Sequence, residues 1–306
     1  MGSLDGKVAI ITGAGRGLGR AEALLLAREG ASVVVNDPGV SLAGDGQDQG
    51  PAAEVVAEIE AAGGTAVANT GDCSSWEDGE AMVAQAVDTF GRLDILVNSA
   101  GILRDRMSFS MSQDEWDAVI RVQLTGSYVP ARFAAAHWRS EAKAGRPTAG
   151  RIVNTTSEAG LLGTTGQVNY MCAKAAVAAM TVTLARELAS YGVTSNAISP
   201  RAVTRLSAEI NDVSADEVGQ EDPSDPMSPH NVAPLVAYLA SDAAAHISGQ
   251  VFLLIGRTLE LWQGWHSVAQ TETDEAWTTT SIEKGLATLF EAGHPTRPER
   301  LPWEPA

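Results

Sequence analysis

Cysteine is nearly absent from this chain of 306 residues: Cys73 and Cys172 are the only two, far apart and without a Cys-x-x-Cys spacing. That excludes a disulfide scaffold and a cysteine-rich zinc site, so no metal is expected, and it fits a reducing compartment. Basic residues are scarce too, 21 Lys and Arg against 38 acids, for a formal charge of -17. Such a chain repels phosphate backbones and anionic bilayers, which argues against nucleic acid as a partner. No run approaches the roughly 18 consecutive apolar residues of a membrane span, and MGSLDGKVAIITGAG lacks the basic-then-apolar order of a secretory signal. The expectation is a cytoplasmic protein without membrane insertion. Also missing are an internal repeat and any Pro- or Ser-rich linker within residues 1–255. With 44% hydrophobic and 19% charged residues, most of the chain has the means to fold around a core.

What is present alternates. Short apolar, β-branched runs recur at Val8 to Ile11, Ser32 to Asn36, Thr65 to Asn69, Leu93 to Asn98, Arg151 to Thr156, Thr194 to Ser199 and Gln250 to Ile255. Between them lie Ala- and Leu-rich segments with helical spacing, among them Ala21 to Glu29, Ala52 to Ala62, Trp76 to Phe90 and Gln113 to Trp138. Continuously apolar strands separated by helices imply a parallel sheet covered on both faces. The predicted fold is α/β: a Rossmann-type, doubly wound, seven-stranded parallel sheet in one domain over 1–255. Residues 256–306 read as a C-terminal extension whose tryptophans, Trp262, Trp265, Trp277 and Trp303, call for packing before a proline-rich end that runs extended. The acidic, proline-punctuated stretch at about 203–229 reads as a substrate loop.

Two constellations carry chemistry. After the first strand comes TGAGRGLG, where Gly13, Gly17 and Gly19 let backbone N–H groups approach a pyrophosphate at a helix N-terminus. Asp37 closes the second strand, where a carboxylate can accept both adenine-ribose hydroxyls and repel a 2'-phosphate, so NAD is the expected cofactor. Its plainer alternative is a turn residue before Pro38, and Arg16 and Arg20 keep a phosphate partner within reach. The second constellation is Tyr170 and Lys174, the chain's only Tyr-x-x-x-Lys pair, which a helix sets on one face. An ammonium beside the phenol should move its pKa down and make Tyr170 a general base. Ser157, at the carboxyl end of the fifth strand, is placed to hold the substrate oxygen. Taken singly, Ser157 is a turn residue and Tyr170 a packed aromatic.

The ordered set TGAGRGLG, Asp72 in GDCSS, NSAG at 98–101, Ser157, YMCAK and SP at 199–200 resembles the short-chain dehydrogenase/reductase family over residues 4 to 255. The resemblance implies that Asp72 and Cys73 stand at the adenine and that Asn98 steadies the central sheet. It further implies that Arg16, Leu18, Ala100, Gly101, Pro200 and Val203 line the cofactor, that Lys174 also holds the nicotinamide ribose, and that Tyr170 exchanges the proton. Three positions depart from the family pattern: Ser99 replaces a second Asn, Gln123 in VQLTG replaces the fourth catalytic residue, an Asn, and Arg201 replaces the Gly of Pro-Gly. A narrower resemblance, through VVVNDPG, the insert Gly39 to Gly50, AGILRDRMSF, RVQLTGSY and VAPLVAYLAS, is to the (3R)-hydroxyacyl-CoA dehydrogenase domain of multifunctional enzyme type 2, also called 17β-hydroxysteroid dehydrogenase type 4. Relatives of that subgroup often lack the fourth-position Asn, so Gln123 is kept as a catalytic candidate through its amide.

Three function readings therefore stand: an NAD-dependent dehydrogenase of 3-hydroxyacyl-CoA thioesters, including steroid-derived ones; a hydroxysteroid dehydrogenase or 3-oxoacyl-carrier-protein reductase; and a silent NAD-binding regulator. The thioester reading needs cations for the CoA phosphates, and Arg104, Arg106, Arg201 and Arg205 fall on the carboxyl side of the sheet, unless Asp105 and the acids of the loop take them. The apolar segment Ala173 to Leu188 predicts a homodimer or homotetramer.

Overall fold

A computed structural model describes residues 2–40, 46, 50–204 and 225–290. The seven apolar runs all become strands: β1 (Val8–Thr12), β2 (Ser32–Asn36), β3 (Thr65–Asn69), β4 (Ile95–Asn98), β5 (Arg151–Thr155), β6 (Thr194–Arg201) and β7 (Val251–Ile255). They pair in parallel in the order β3-β2-β1-β4-β5-β6-β7. The order reverses between β1 and β4, and ligands of such sheets bind at the carboxyl ends beside that reversal.

The sheet is one strand wider than expected. β8 (Thr258–Trp262) folds back antiparallel on β7, with Ile255 opposite Thr258 across a two-residue turn whose Gly256 has φ 55. The turn glycine followed by the alternating Thr-Leu-Glu-Leu-Trp is a hairpin signal. It places residues 256–262 in the sheet rather than in the extension.

Helices cover both faces because the strands offer an apolar face to each. Ala9, Ile11, Val33, Val35, Ile95 and Val97 pack with α1 (Gly17–Arg28), α2 (Gly50–Ala61) and, further along the chain, α8 (Ala233–Ala240). Val8, Ile10, Val34, Leu96 and Ile152 face α3 (Trp76–Phe90), α5 (Gly126–Lys143) and α7 (Val168–Leu188). Alternate residues of one strand thus enter different cores, which is why the strands read as unbroken apolar runs. Val168–Tyr191 is long and apolar enough to cross a membrane, but half of its most apolar stretch is buried and its helix packs on β5 and β6.

The single helix expected over Gln113 to Trp138 is instead α4 (Gln113–Ile120), a π-helical turn at Arg121–Thr125, and α5. Pro130 has no N–H for the carbonyl four residues back, that of Gly126, so the helical ladder is interrupted where α5 begins. The Ser127 hydroxyl donates to the Gln123 carbonyl at 2.7 Å inside the widened turn. The remaining helices are the short α6 (Ala159–Leu162) and α9 (Thr279–Phe290).

Two compact units result, Met1–Trp262 and Gln263–Ala306. In the second, Trp277 and Thr271 crowd Gly285 of α9, where an added Cβ would come within 3.0 Å of the indole. The proline-rich end expected to run extended lies outside the described residues, as do 205–224 of the expected substrate loop, with Arg205.

Candidate active site

The cradle is assembled where β1 enters α1. Gly13 has φ 66 and packs so closely on the segment after β4 that an added Cβ would stand 2.6 Å from Ala100 Cα, while one at Gly19 would stand 2.3 Å from the Gly13 carbonyl oxygen. Only glycine permits that approach. Ser99 and Ala100 donate their N–H groups to Thr12 Oγ1 at 3.2 and 3.3 Å, tying the ends of β1 and β4 together. Helix α1 follows the N-cap residue Arg16, with no side-chain cap bond and no acid in its first turn. Its opening N–H groups are therefore left for an anion. Leu18 turns its side chain into the core, so this position offers the site its backbone.

Asp37 stands over this cradle, accepting the Gly15 N–H at 2.9 Å and the Gly39 N–H at 2.7 Å. Arg20 is ion-paired with Glu58 at 2.6 Å. Further along the rim, Asp72 accepts the N–H and hydroxyl of Ser74 and is ion-paired with Arg121 at 2.7 Å. Cys73 beside it is buried, its thiol pushed up to about 12 by burial and by Asp72. It fills the space beside Gly126.

Chemically active side chains gather at the ends of β4, β5 and β6. Asn98 donates to the Asn154 Oδ1 at 2.8 Å and the Ser127 carbonyl at 3.1 Å, which joins β4, β5 and α5. The i, i+4 spacing on α7 sets Lys174 Nζ 5.5 Å from the Tyr170 ring centroid. Nζ donates to the Thr155 carbonyl at 2.7 Å, and Tyr170 shares a side-chain hydrogen bond with Ser157. Burial sets the protonation pattern. It lowers Lys174 to about 7 and pushes the Tyr170 phenol up, the Ser157 bond opposing this and the charges of Glu158 and Asp105 adding to it. The expected lowering of Tyr170 is thus absent, because desolvation outweighs the Ser157 hydrogen bond that opposes it.

Gln123 lies on the π-helical turn, buried, with Nε2 donating to the Ile102 carbonyl at 2.8 Å. Its Oε1 has no hydrogen-bond partner. A Cβ on Gly101 would meet this amide at 2.8 Å, so Gly101 packs directly on the Gln123 side chain. A π-turn is a common device for re-aiming one side chain at a functional site.

The remaining expected positions fall on the same rim. Pro200 pairs with Leu254 in the sheet, and Val203 donates to the Met227 carbonyl at 2.7 Å. Two of the four arginines form ion pairs: Arg106 with Glu115 at 3.0 Å, and Arg201 with Glu158. The carbonyl of Arg104 accepts from Asn169 at 3.0 Å.

Sequence reasoning passed over four residues. Thr204 stands over Gly17, within 3.5 Å of where a Cβ would be. Arg121 and Glu158 act through partners distant in sequence. Glu22 is a fully buried acid on α1, raised from 4.5 to about 7 by burial. Its oxygens and the Ser99 hydroxyl lack well-aligned partners, yet Ser99 lies close enough to offset part of that burial. An acid flanked by Ala21 and Ala23 on the face of α1 turned to the core was its signal. Among the described residues no three His, Cys, Asp or Glu side chains gather as metal ligands.

Comparison with known proteins agrees with this geometry. Residues 7–214 match the family model described as short chain dehydrogenase. The chain is 47% identical over 300 residues to the hydroxyacyl-CoA dehydrogenase ChsB1 of Mycobacterium tuberculosis, covering 95% of this chain and 91% of that protein. It is 41% identical to the peroxisomal multifunctional enzyme type 2 of Mus musculus over 245 residues, 80% of this chain but 31% of the mouse protein. The crystal structure of a short chain dehydrogenase from Mycobacterium avium superposes with a TM-score of 0.85 at 44% identity, covering 97% of this chain and 99% of that one.

Proposed function

Because the chain belongs to the short-chain dehydrogenase family, we propose that it is an NAD-dependent 3-hydroxyacyl-CoA dehydrogenase of fatty-acid or sterol side-chain β-oxidation. The observation that carries the substrate is the near end-to-end likeness to a hydroxyacyl-CoA dehydrogenase. Geometry supports the chemistry independently: an uncapped helix start beside a glycine turn, and a tyrosine, serine and lysine on the same rim of the sheet.

The family's oxidoreductases use a nicotinamide cofactor, which supplies the hydride acceptor when bound. The residues present fit it. The N-terminal N–H groups of α1 suit a pyrophosphate, and Lys174 is near enough to the rim to reach a ribose. NAD rather than NADP is the reading that Asp37 supports, since a carboxylate held by Gly15 and Gly39 repels a 2'-phosphate while Arg20 is engaged with Glu58.

In this reading Ser157 holds the substrate's hydroxyl oxygen and Tyr170 takes its proton. Lys174, once charged, favours the phenolate. Gln123 acts from below Gly101 through its unpartnered Oε1. Arg104, Arg106 and Arg205 are the cations for the CoA phosphates, Arg106 leaving a pair with Glu115 in which its own side chain is exposed, whereas Arg201 is held by the buried Glu158. A homodimer or homotetramer completes the proposal: Trp76 and Tyr128 are exposed large aromatics on α3 and α5, with Arg132 stacked 5.6 Å over the Trp76 ring. Light scattering at micromolar concentration tests it, a monomer overturning it.

Turnover of a panel of 3-hydroxyacyl-CoA thioesters, hydroxysteroids and 3-oxoacyl-carrier-protein with NAD or NADP tests the function. Oxidation of the thioesters with NAD is expected. Activity confined to CoA-free alcohols would overturn the thioester assignment.

A further inference from the structure

Tyr170 is the third residue of α7, and the residue before it, Asn169, is fully buried. The first N–H groups of a helix find no partner within it, and Gln167, at the N-cap of α7, makes no side-chain bond to them. Its amide donates instead to Asp105 Oδ2 at 2.6 Å. Asn169 supplies the acceptor that Tyr170 needs: its Oδ1 takes the Tyr170 N–H at 2.8 Å, and the regular ladder begins one residue later, where the Met171 N–H donates to the Gln167 carbonyl. The Asn169 Nδ2 donates twice, to the Arg104 carbonyl at 3.0 Å and to the Glu115 carbonyl at 3.1 Å. One buried amide thus ties Tyr170 to the segment after β4 and to α4. Aspartate there would lose both donors and alanine all three bonds, leaving the backbone groups around it unpaired.

Neighbouring residues repeat the tie, since the Arg106 N–H donates to the Gly166 carbonyl at 2.7 Å. Arg104, Asp105 and Arg106 are therefore bound in turn to Asn169, Gln167 and Gly166, the two stretches running in opposite directions. Further along α7, Lys174 is fixed to Thr155 and the helix packs on β5 and β6. The first turn is held by hydrogen bonds to residues 54 and 65 positions away in the chain, and it carries the phenol that bonds to Ser157 across the site. A slip of that turn moves the phenol relative to the serine.

We infer that Asn169 is a positioning residue of the reaction: it sets the first turn of α7 against the segment after β4 and α4, so that the Tyr170 hydroxyl meets the substrate oxygen held at Ser157. The inference rests on the proposed reading of Tyr170 as the group that moves the proton.

The test is the single-turnover rate of NADH formation from a medium-chain 3-hydroxyacyl-CoA with NAD, expressed per NADH-binding site, the sites being counted by fluorescence titration. In Asn169→Ala this rate should fall by about 10²-fold, the cost of displacing a reacting group by about 1 Å, while Kd for NADH stays within about threefold because the cradle is built at the ends of β1 and β4. Gln167→Met cuts the neighbouring tie to Asp105 and spares the Tyr170 N–H bond, so its rate should fall in the same direction by less. Where Asn169→Ala binds NADH it decides the matter; where it does not fold, Gln167→Met does. A wild-type rate per site in the deciding variant overturns the inference, and so does a loss of activity that only follows the number of NADH sites or the rise in Kd, since either marks a general loosening. Tyr170→Phe run in parallel separates the two levels. Inactive Tyr170→Phe beside a wild-type rate in the deciding variant rejects Asn169 alone. Active Tyr170→Phe, or a wild type that oxidises no thioester, rejects the proposed function and this inference with it.

Discussion

The two ends of the site each bury a glutamate and treat it oppositely. At the cradle, Glu22 is fully buried on α1, and burial raises it to about 7, so at neutral pH a large share is neutral. At the reacting end, Glu158 is ion-paired with Arg201 and makes two hydrogen bonds with Ser199. The difference follows from what each end must do. The cradle receives an anion, and a permanent negative charge beneath it would oppose binding. The reacting end is proposed to move a proton, and there the buried carboxylate is held by a cation and a hydroxyl.

The sharpest way to break the comparison is to disable one end and watch the other. Tyr170→Phe removes the transferable proton and preserves the ring. Turnover should fall by about 10² to 10⁴, the usual worth of general acid–base catalysis. Affinity for NAD, followed by tryptophan fluorescence, should stay within a few-fold because the cradle is built from backbone groups at the ends of β1 and β4. Wild-type turnover in this variant would remove Tyr170 from the chemistry. A large loss of NAD affinity would show that the two ends are one unit.

Glu22 allows the next-largest test. Its folded-state pKa of about 7 lies above the ordinary 4.5, so between those values the unfolded chain releases a proton that the folded protein keeps. Stability from this group is thus fully present below about pH 4.5, declines as pH rises to about 7, and is flat beyond. A shift of that size is worth about 3 kcal/mol. Glu22→Gln is neutral throughout and should lack the decline: in urea unfolding it should gain on the wild type by up to that amount on going from about pH 5 to pH 8. Parallel pH profiles for the two proteins would mean that Glu22 is solvated or paired after all.

The same contrast explains what was legible in the sequence. Gly13, Gly17 and Gly19 lie within a few residues of one another, and Tyr170 and Lys174 lie one helical turn apart, so local spacing alone exposes the cradle and the reacting pair. The central strands β1, β2, β4 and β5 were legible for a similar reason, since their residues are buried on both faces, whereas β3 has exposed Thr65 and Ala68. Contacts between distant residues left no such mark. Arg201 meets Glu158 across 43 positions and Arg121 meets Asp72 across 49. Nothing in either local segment names its partner. Two further features had local signals of the wrong apparent kind: Pro130 inside a helical pattern marks the π-helical turn that aims Gln123, and Gly256 before an alternating run marks β8.

The smallest expected effect concerns cofactor choice, and it isolates charge from structure at the cradle. In the proposed NAD reading Asp37 does two things at once: it accepts N–H groups from Gly15 and Gly39, and it presents a negative charge to a 2'-phosphate. Asp37→Ala would remove both and confuse them. Asp37→Asn keeps an amide oxygen that can accept from one of those N–H groups and removes only the charge. The preference for NAD over NADP in kcat/KM should then narrow by about tenfold, equivalent to about 1.4 kcal/mol. The change should lie in KM for NADP, with kcat for NAD held within about twofold, because the reacting end is untouched. Raising the ionic strength should shrink the wild-type preference as well, since a partly exposed charge is screened over about 8 Å at physiological salt. If Asp37→Asn leaves the ratio unchanged while Asp37→Ala alters it, the carboxylate matters as a brace for the Gly15 and Gly39 N–H groups, and the ribose is read elsewhere on the rim.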